Sequence, residues 1–234
     1  MSVVLEALGE AVRLLLTGDA YTVEVLGLSL RVSITATACA LILGLPVGAT
    51  IALGRFPGRR LLLALTSTGM GLPPVVVGLV ITVLLWRSGP LGDLRLLYTP
   101  TAMVVAQTVI ALPVVIALSA AAIQQVDPEL AVQMRGVGAG RIRALWEVMV
   151  EARLPLVATV LAGFGAALSE VGAAMMVGGN LTGETRVLTT AAVLETSRGN
   201  FSLALAFGMV LLAVAFTVNA ALTLMAHRAR ADRS

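Results

Sequence analysis

Glu170 is the residue whose chemistry most needs an explanation. It is the single charge in the apolar stretch 154–183, and a carboxylate held at membrane depth is costly enough to mark a function or a buried partner. Read as one helix entering at Pro155, the stretch carries Glu170 15 residues along, roughly 22 Å by helical rise and so in the outer half of a bilayer. Ser169 beside it supplies a hydroxyl next to an acid, but adjacent helix positions do not face each other, which argues against a membrane-embedded hydrolase. Met175 and Met176 follow in a Gly-rich setting. They suit a flexible constriction or simple gap filling. Gly178, Gly179 and Asn180 then read as a helix C-cap whose backbone N–H groups could also face an anion.

Other chemistries are excluded by what the chain lacks. All 16 basic residues are arginine, so no phosphate loop with its lysine exists and the chain does not hydrolyse ATP by itself. One cysteine, Cys39, and one histidine, His227, cannot build a metal cluster or a thiol dyad within one chain. The net charge of +3 is carried by arginines flanking apolar runs, a topology signal and not a nucleic-acid stripe. No cofactor or metal site is expected.

The elements that must hold these residues are membrane helices. The chain is 234 residues long, 58% hydrophobic and 12% charged, with a mean hydropathy of +0.97, and this excludes a soluble globular domain, in which about a quarter of residues are charged. Charge-free stretches 32–54, 61–86, 96–126 and 199–226 are each long enough to cross. The stretch from 154 is a fifth span ending near Val177. One membrane domain, 1–234, is therefore expected, all-α and with about five spans. Residues 1–16 lack a signal-peptide pattern, and Val4, Leu8, Val12 and Leu15 alternate with a Glu6, Glu10 and Arg13 face, as in an interfacial amphipathic helix over 1–20. Pro46, Pro73, Pro74 and Pro113 lie within spans. Each should bend its helix.

With the N-terminus outside, ten of the 16 arginines fall inside, at positions 55, 59, 60, 135, 141, 143, 153, 228, 230 and 233. The positive-inside rule thus favours N-outside, C-inside. On that topology the inside loop 127–153 is the longest polar segment. Asp127-Pro128 reads as an N-cap and first helical position, the glycines 136, 138 and 140 interrupt the helix, and a second helix begins at Arg141 with Ile142, Leu145, Trp146, Met149 and Val150 on one face.

These segments resemble the membrane subunits of binding-protein-dependent ABC importers, type I permeases whose loop before the penultimate span inserts into a cleft of the ATPase. Gly138-Ala139 is similar to that loop's Gly signature, while its usual Glu-Ala-Ala is here Val132-Gln133-Met134. Either Glu129 and Ala131 serve in a shifted register or this branch departs from the motif. The resemblance implies ATPase-coupling residues at Asp127, Pro128, Glu129, Ala131, Arg135, Gly136, Gly138 and Arg141. The run 163–201, with SEVGAAMMVGGN, TRVLTT and LETSRGNF, is similar to tungstate importer permeases. Molybdate and sulfate permeases share the GGN part and GLPPVVVGL. What this implies is a homodimer in a bacterial or archaeal cytoplasmic membrane, fed tungstate by an extracytoplasmic oxyanion-binding protein and driven by ATP bound to a separate ATPase subunit. Molybdate or sulfate is the alternative cargo. A tetrahedral dianion would be repelled by an ionised Glu170, so Ser169, Glu170, Met175 and Met176 are assigned to a pathway wall or gate. Asn180, Arg186 and Arg198 are candidates for docking the binding protein, with pairing to Glu184 and Glu195 as the alternative for the two arginines. An autonomous carrier or channel would call for internal repeats and intramembrane charge pairs, of which the sequence shows neither.

Overall fold

The computed structural model describes residues 2–136, 138 and 140–231. Ala139 of the Gly-Ala signature and Arg233 of the basic tail lie outside the described residues, as do the side chains of Leu15, Pro128, Ala131, Arg135 and Arg141. About 80% of the chain is helical. In order the helices are α1 (Ser2–Thr17), α2 (Ala20–Leu53), α3 (Arg59–Met70), α4 (Pro74–Leu85), α5 (Pro100–Gln124), α6 (Pro128–Gly136), α7 (Arg141–Glu151), α8 (Arg153–Leu168), α9 (Gly172–Gly178), α10 (Leu188–Ser197) and α11 (Phe201–Ala231). Three of them, α2, α5 and Phe201–Ala226 of α11, are long and apolar enough to cross a membrane, and two bent pairs, α3–α4 at 101° and Ile142–Glu151 with α8 at 78°, bring the number of possible spans to five.

The first span begins earlier than its charges suggest. Asp19 caps α2 by accepting hydrogen bonds from the Thr22 N–H and hydroxyl, both at 2.9 Å, and these bonds hold its carboxyl below the usual carboxylate range. The helix then continues through Glu24 and Arg31, because an exposed charge does not interrupt backbone hydrogen bonding. It is 34 residues long, about 50 Å by helical rise and well beyond a hydrocarbon core of about 30 Å.

The centre of the bundle is the contact of α2 with α5, and small residues make it possible. Ala40 packs with Ala111 and Val115, and a Cβ on Gly44 would come within 2.8 Å of Val115. At Gly48 a Cβ would run into Ser119. Close backbone approach of this kind is how apolar helices associate without a hydrophobic driving force. Buried hydroxyls such as Ser29 and Thr37 return their O–H to the carbonyl four residues back, at 2.7 Å each, which removes an unpaired donor from the interior.

The prolines act in two ways. Pro46 and Pro113 sit within continuous helices, so the expected bend is not a break there. Gly71-Leu72-Pro73-Pro74 turns the chain sharply between α3 and α4. The stretch 154–177, expected as one helix, is likewise two: α8 stops at Leu168 and α9 starts at Gly172. Segment 178–200, which follows the expected end of the fifth span, contains α10, whose Leu188 and Ala191 pack with Ala206, Phe207 and Val210 of α11.

The N-terminal helix α1 lies against α11 through small residues, with Ala7 and Ala11 buried. Val4, Leu8 and Val12, the apolar stripe legible in the sequence, point away from the rest of the chain.

Candidate functional site: paired helix breaks and a projecting knob

The two helix breaks meet. A cavity of about 370 Å³ is lined by Gly71, Leu72, Pro73 and Pro74 of one break and by Ser169 and Glu170 of the other, with Val109, Ile110 and Val114 of α5 between them. Glu170 is 6% exposed. Its Oε1 accepts the Ala173 N–H at 2.7 Å, so the carboxylate caps the start of α9, where unpaired N–H groups favour negative charge. Its own carbonyl accepts the Thr189 hydroxyl of α10 at 3.1 Å. A Cβ on Gly172 would stand 3.5 Å from both Glu170 Oε1 and the Val75 N of α4, which places the carboxylate in the seam where α4 and α9 both begin. Ser169 is exposed and donates to the Gly165 carbonyl at 2.8 Å. It is turned back on its own helix and not towards Glu170.

From that seam α4 and α9 run side by side. A Cβ on Gly78 would come within 2.7 Å of the Ala173 Cα and 3.0 Å of the Met176 Cβ, so glycine at 78 is required by backbone approach. Ala173, Ala174 and Val177 are buried against Val77, Ile81 and Leu85. Met175 and Met176 are half-buried on α9 and do not line the cavity between the breaks.

Beyond α9, the Asn-Leu-Thr-Gly-Glu-Thr-Arg segment is organised by its polar side chains. Asn180 adopts a positive φ of 54°. Arg186 donates through Nε to Asn180 Oδ1 (3.0 Å), through Nη2 to the Asn180 carbonyl (2.9 Å) and through Nη1 to the Tyr21 hydroxyl (3.1 Å). Thr185, fully buried, accepts the Leu181 N–H and donates to the Gly178 carbonyl. The Leu188 N–H at the head of α10 donates to Ser29 Oγ of α2 at 2.8 Å. Asn180 and Arg186 are thus brought together, while Arg198 stands apart and pairs with Glu195 at 2.8 Å. Glu195 also accepts from Asn200 at 2.7 Å, which closes the turn from α10 into α11. The Arg198 side chain remains 57% exposed while that of Glu195 is buried at 7%.

At the other candidate segment, α6 and α7 form a knob. Asp127 Oδ1 accepts the Glu129 N–H at 2.9 Å, capping α6, and Gly138 turns the chain at φ 87°. Val148 and Ala152 bury against Ala49 and Ile123. Ile142 and Trp146 are left 86% and 63% exposed, flanking Arg143 around a shallow apolar depression. The single apolar face expected for α7 is therefore split: Leu145 packs inward against the same cluster, while Ile142 and Trp146 are left outward. A cleft of about 410 Å³ at the base of the knob is lined by Asp127, Leu130, Gln133 and Glu151. Among the described residues no three His, Cys, Asp or Glu side chains gather as a metal site.

The pairing of the breaks was not foreseen from sequence, although each was marked: Gly-Leu-Pro-Pro at one, and at the other a Ser-Glu pair ahead of Gly172. Thr185, Thr189 and Ser29 gave no signal of their own, since a hydroxyl is assigned a partner only once the helices are packed.

Comparison with known proteins gives one consistent answer. Residues 40–231 match the family described as binding-protein-dependent transport system inner membrane component. A probable anion ABC transporter permease protein of Haloferax volcanii is 42% identical over 205 residues, 86% of this chain and 88% of that one. A tungstate uptake system permease protein of Peptoclostridium acidaminophilum is 37% identical over 220 residues, 94% of this chain and 96% of that one. Among solved structures, an amino acid ABC transporter superposes with a TM-score of 0.65 over 92% of this chain and 96% of its own, at 18% identity.

Proposed function

Because this chain belongs to the family of binding-protein-dependent transport system inner membrane components, we propose that two copies of it form the translocation pathway of an ATP-driven importer for tungstate. The chain is an integral inner-membrane permease subunit of the oxyanion group and not an enzyme, and its family implies a separate ATPase subunit and a substrate-binding protein. ATP is bound by that ATPase, since this chain has no lysine for a phosphate loop.

The observation that carries the coupling assignment is the outward pair Ile142 and Trp146. Apolar side chains this exposed on a polar segment mark a partner site, and an aromatic anchor set between charges is the usual centre of an interface. Asp127, Pro128, Glu129, Ala131, Arg135, Gly136, Gly138 and Arg141 build the scaffold that presents them. The apolar residues Val75, Val76, Leu79, Val80 and Val83 of α4, all exposed, form the face on which a second copy packs, and this puts the cavity between the breaks beside the dimer axis. Ser169 and Glu170 then form the gate, with Met175 and Met176 packed behind it. Asn180, Arg186 and Arg198 face the binding protein, the first two as a rigid hydrogen-bonded unit.

The arrangement requires the N-terminus outside and the knob inside. In a Cys39-free background, Arg143→Cys is expected to resist an impermeant thiol reagent added to whole cells and to react once the membrane is opened. Labelling from outside intact cells would reverse the orientation and remove the knob from the ATPase.

A further inference from the structure

At the far end of α4 from the paired breaks lies an open cup of about 890 Å³, lined by Trp86, Arg87, Asp93, Arg95 and Tyr98 among others. Arg87, Asp93 and Arg95 are exposed, and among the described residues none of the three makes an ion pair. The cup is therefore lined by two arginines and one aspartate that stand outside any ion pair.

The loop that builds it is held in place by its backbone. The Gly89 N–H donates to the Trp86 carbonyl at 2.7 Å and the Leu91 N–H to the Leu84 carbonyl at 2.9 Å. Among the described residues only three besides glycine have positive φ, and Arg95 (50°) and Tyr98 (64°) are two of them. Backbone strain of this kind persists where the surroundings enforce it and gathers at ligand sites. Tyr98 is fixed twice, by its N–H donating to the Val177 carbonyl at 2.8 Å and by its ring lying where a Cβ on Gly179 would come within 2.8 Å. The cup is thereby joined to the end of α9.

We propose that this cup is a binding site for a free tetrahedral oxyanion at the outer mouth of the permease, gripped by Arg87 and Arg95. The inference rests on the oxyanion-importer reading and adds the place where the released ion first meets the membrane subunit. Guanidinium forks match the edge of a tetrahedral oxyanion with two parallel N–H groups, and Tyr98 adds a hydroxyl donor to the same lining. Asp93 opposes the two cations, which keeps the grip weak enough for the ion to move on. A lipid phosphate offers the same chemistry, so the test separates the two sources.

The complex of this chain with its ATPase subunit is placed in phosphatidylcholine nanodiscs, without binding protein or nucleotide, and equilibrium binding of tungstate is measured. Saturable binding is expected, at least tenfold weaker in Arg87→Gln/Arg95→Gln and unchanged in Arg55→Gln. Asp93→Asn is expected to bind several-fold tighter, a gain that misfolding does not produce. Equal affinity in the double variant and the wild type, or no tightening in Asp93→Asn, would overturn the proposal. So would loss of tungstate binding in phosphatidylglycerol nanodiscs together with lipid retained by the wild type and not by the double variant, which assigns the cup to a headgroup. Uptake by the complete wild-type importer distinguishes the two readings: uptake with an unaffected double variant removes only the cup, and no uptake of any oxyanion removes the importer reading itself.

Discussion

Trp146→Ala is expected to weaken the hold of the ATPase subunit about thirtyfold or more, and to cut transport accordingly, while leaving the chain inserted and folded. Truncating a central aromatic anchor costs about 2 kcal/mol or more at an interface, and 1.4 kcal/mol is a factor of about ten in affinity. The fold should tolerate the change, because Trp146 is 63% exposed and the inward contacts of α7 are made by Leu145 and Val148. Gly138→Trp reaches the same end by another route. Nothing lies within 4 Å of a Cβ there, but the φ of 87° is one that side chains with a Cβ resist, so the turn that aims the knob should shift. Co-purification of the ATPase with each variant, measured beside membrane insertion, checks both. Full retention of the ATPase by Trp146→Ala would remove the knob from the interface.

The same helix shows what sequence could and could not convey. Periodicity found α7 and its apolar residues, and it joined Ile142, Leu145 and Trp146 to one side. It could not say that Leu145 would turn to the bundle while Ile142 and Trp146 stayed outward, because an apolar residue looks alike whichever surface it covers. α1 repeats the lesson, with Ala7 and Ala11 buried and Val4, Leu8 and Val12 outward. Charge-free runs located the membrane-spanning segments, since hydrocarbon excludes charge from nearly every position. They missed the start of α2 at Ala20, where Glu24 and Arg31 lie on a helix that continues beyond the apolar run. They also missed the break at 169–171, where no proline warns of it and Glu170 was read as a charge within a continuous helix. Glu170 stood out in the sequence as a cost to be explained. Its role as the cap of α9 depended on knowing that a helix begins at Gly172.

Glu170 carries the second large effect. Glu170→Gln keeps the shape and the oxygen that accepts the Ala173 N–H, and should leave the fold intact while altering basal ATPase activity or leak through the gate. Glu170→Ala also removes the cap, and leaving a buried N–H unpaired costs about 1–3 kcal/mol, so a loss of thermal stability should accompany it. Were the carboxylate instead to act on the passing ion directly, its removal would delete a Coulomb contribution of about 1–4 kcal/mol at 4 Å, depending on the surrounding dielectric, and would change which anion is preferred. Uptake of tungstate, molybdate and sulfate by reconstituted Glu170→Gln, read beside basal ATPase activity, separates these. An altered anion ranking with normal ATPase activity would move Glu170 from the gate into the ion's path.

This chain is a permease subunit of the oxyanion group, and the reading proposed for it is ATP-driven import with tungstate as cargo. Accumulation of tungstate, molybdate and sulfate is measured in proteoliposomes containing this chain, its ATPase subunit and its binding protein. Tungstate should accumulate ahead of the other two, only with ATP on the knob side, and not at all when the ATPase subunit is left out. Accumulation that continues without the ATPase or without ATP, or failure to accumulate any of the three, would contradict it.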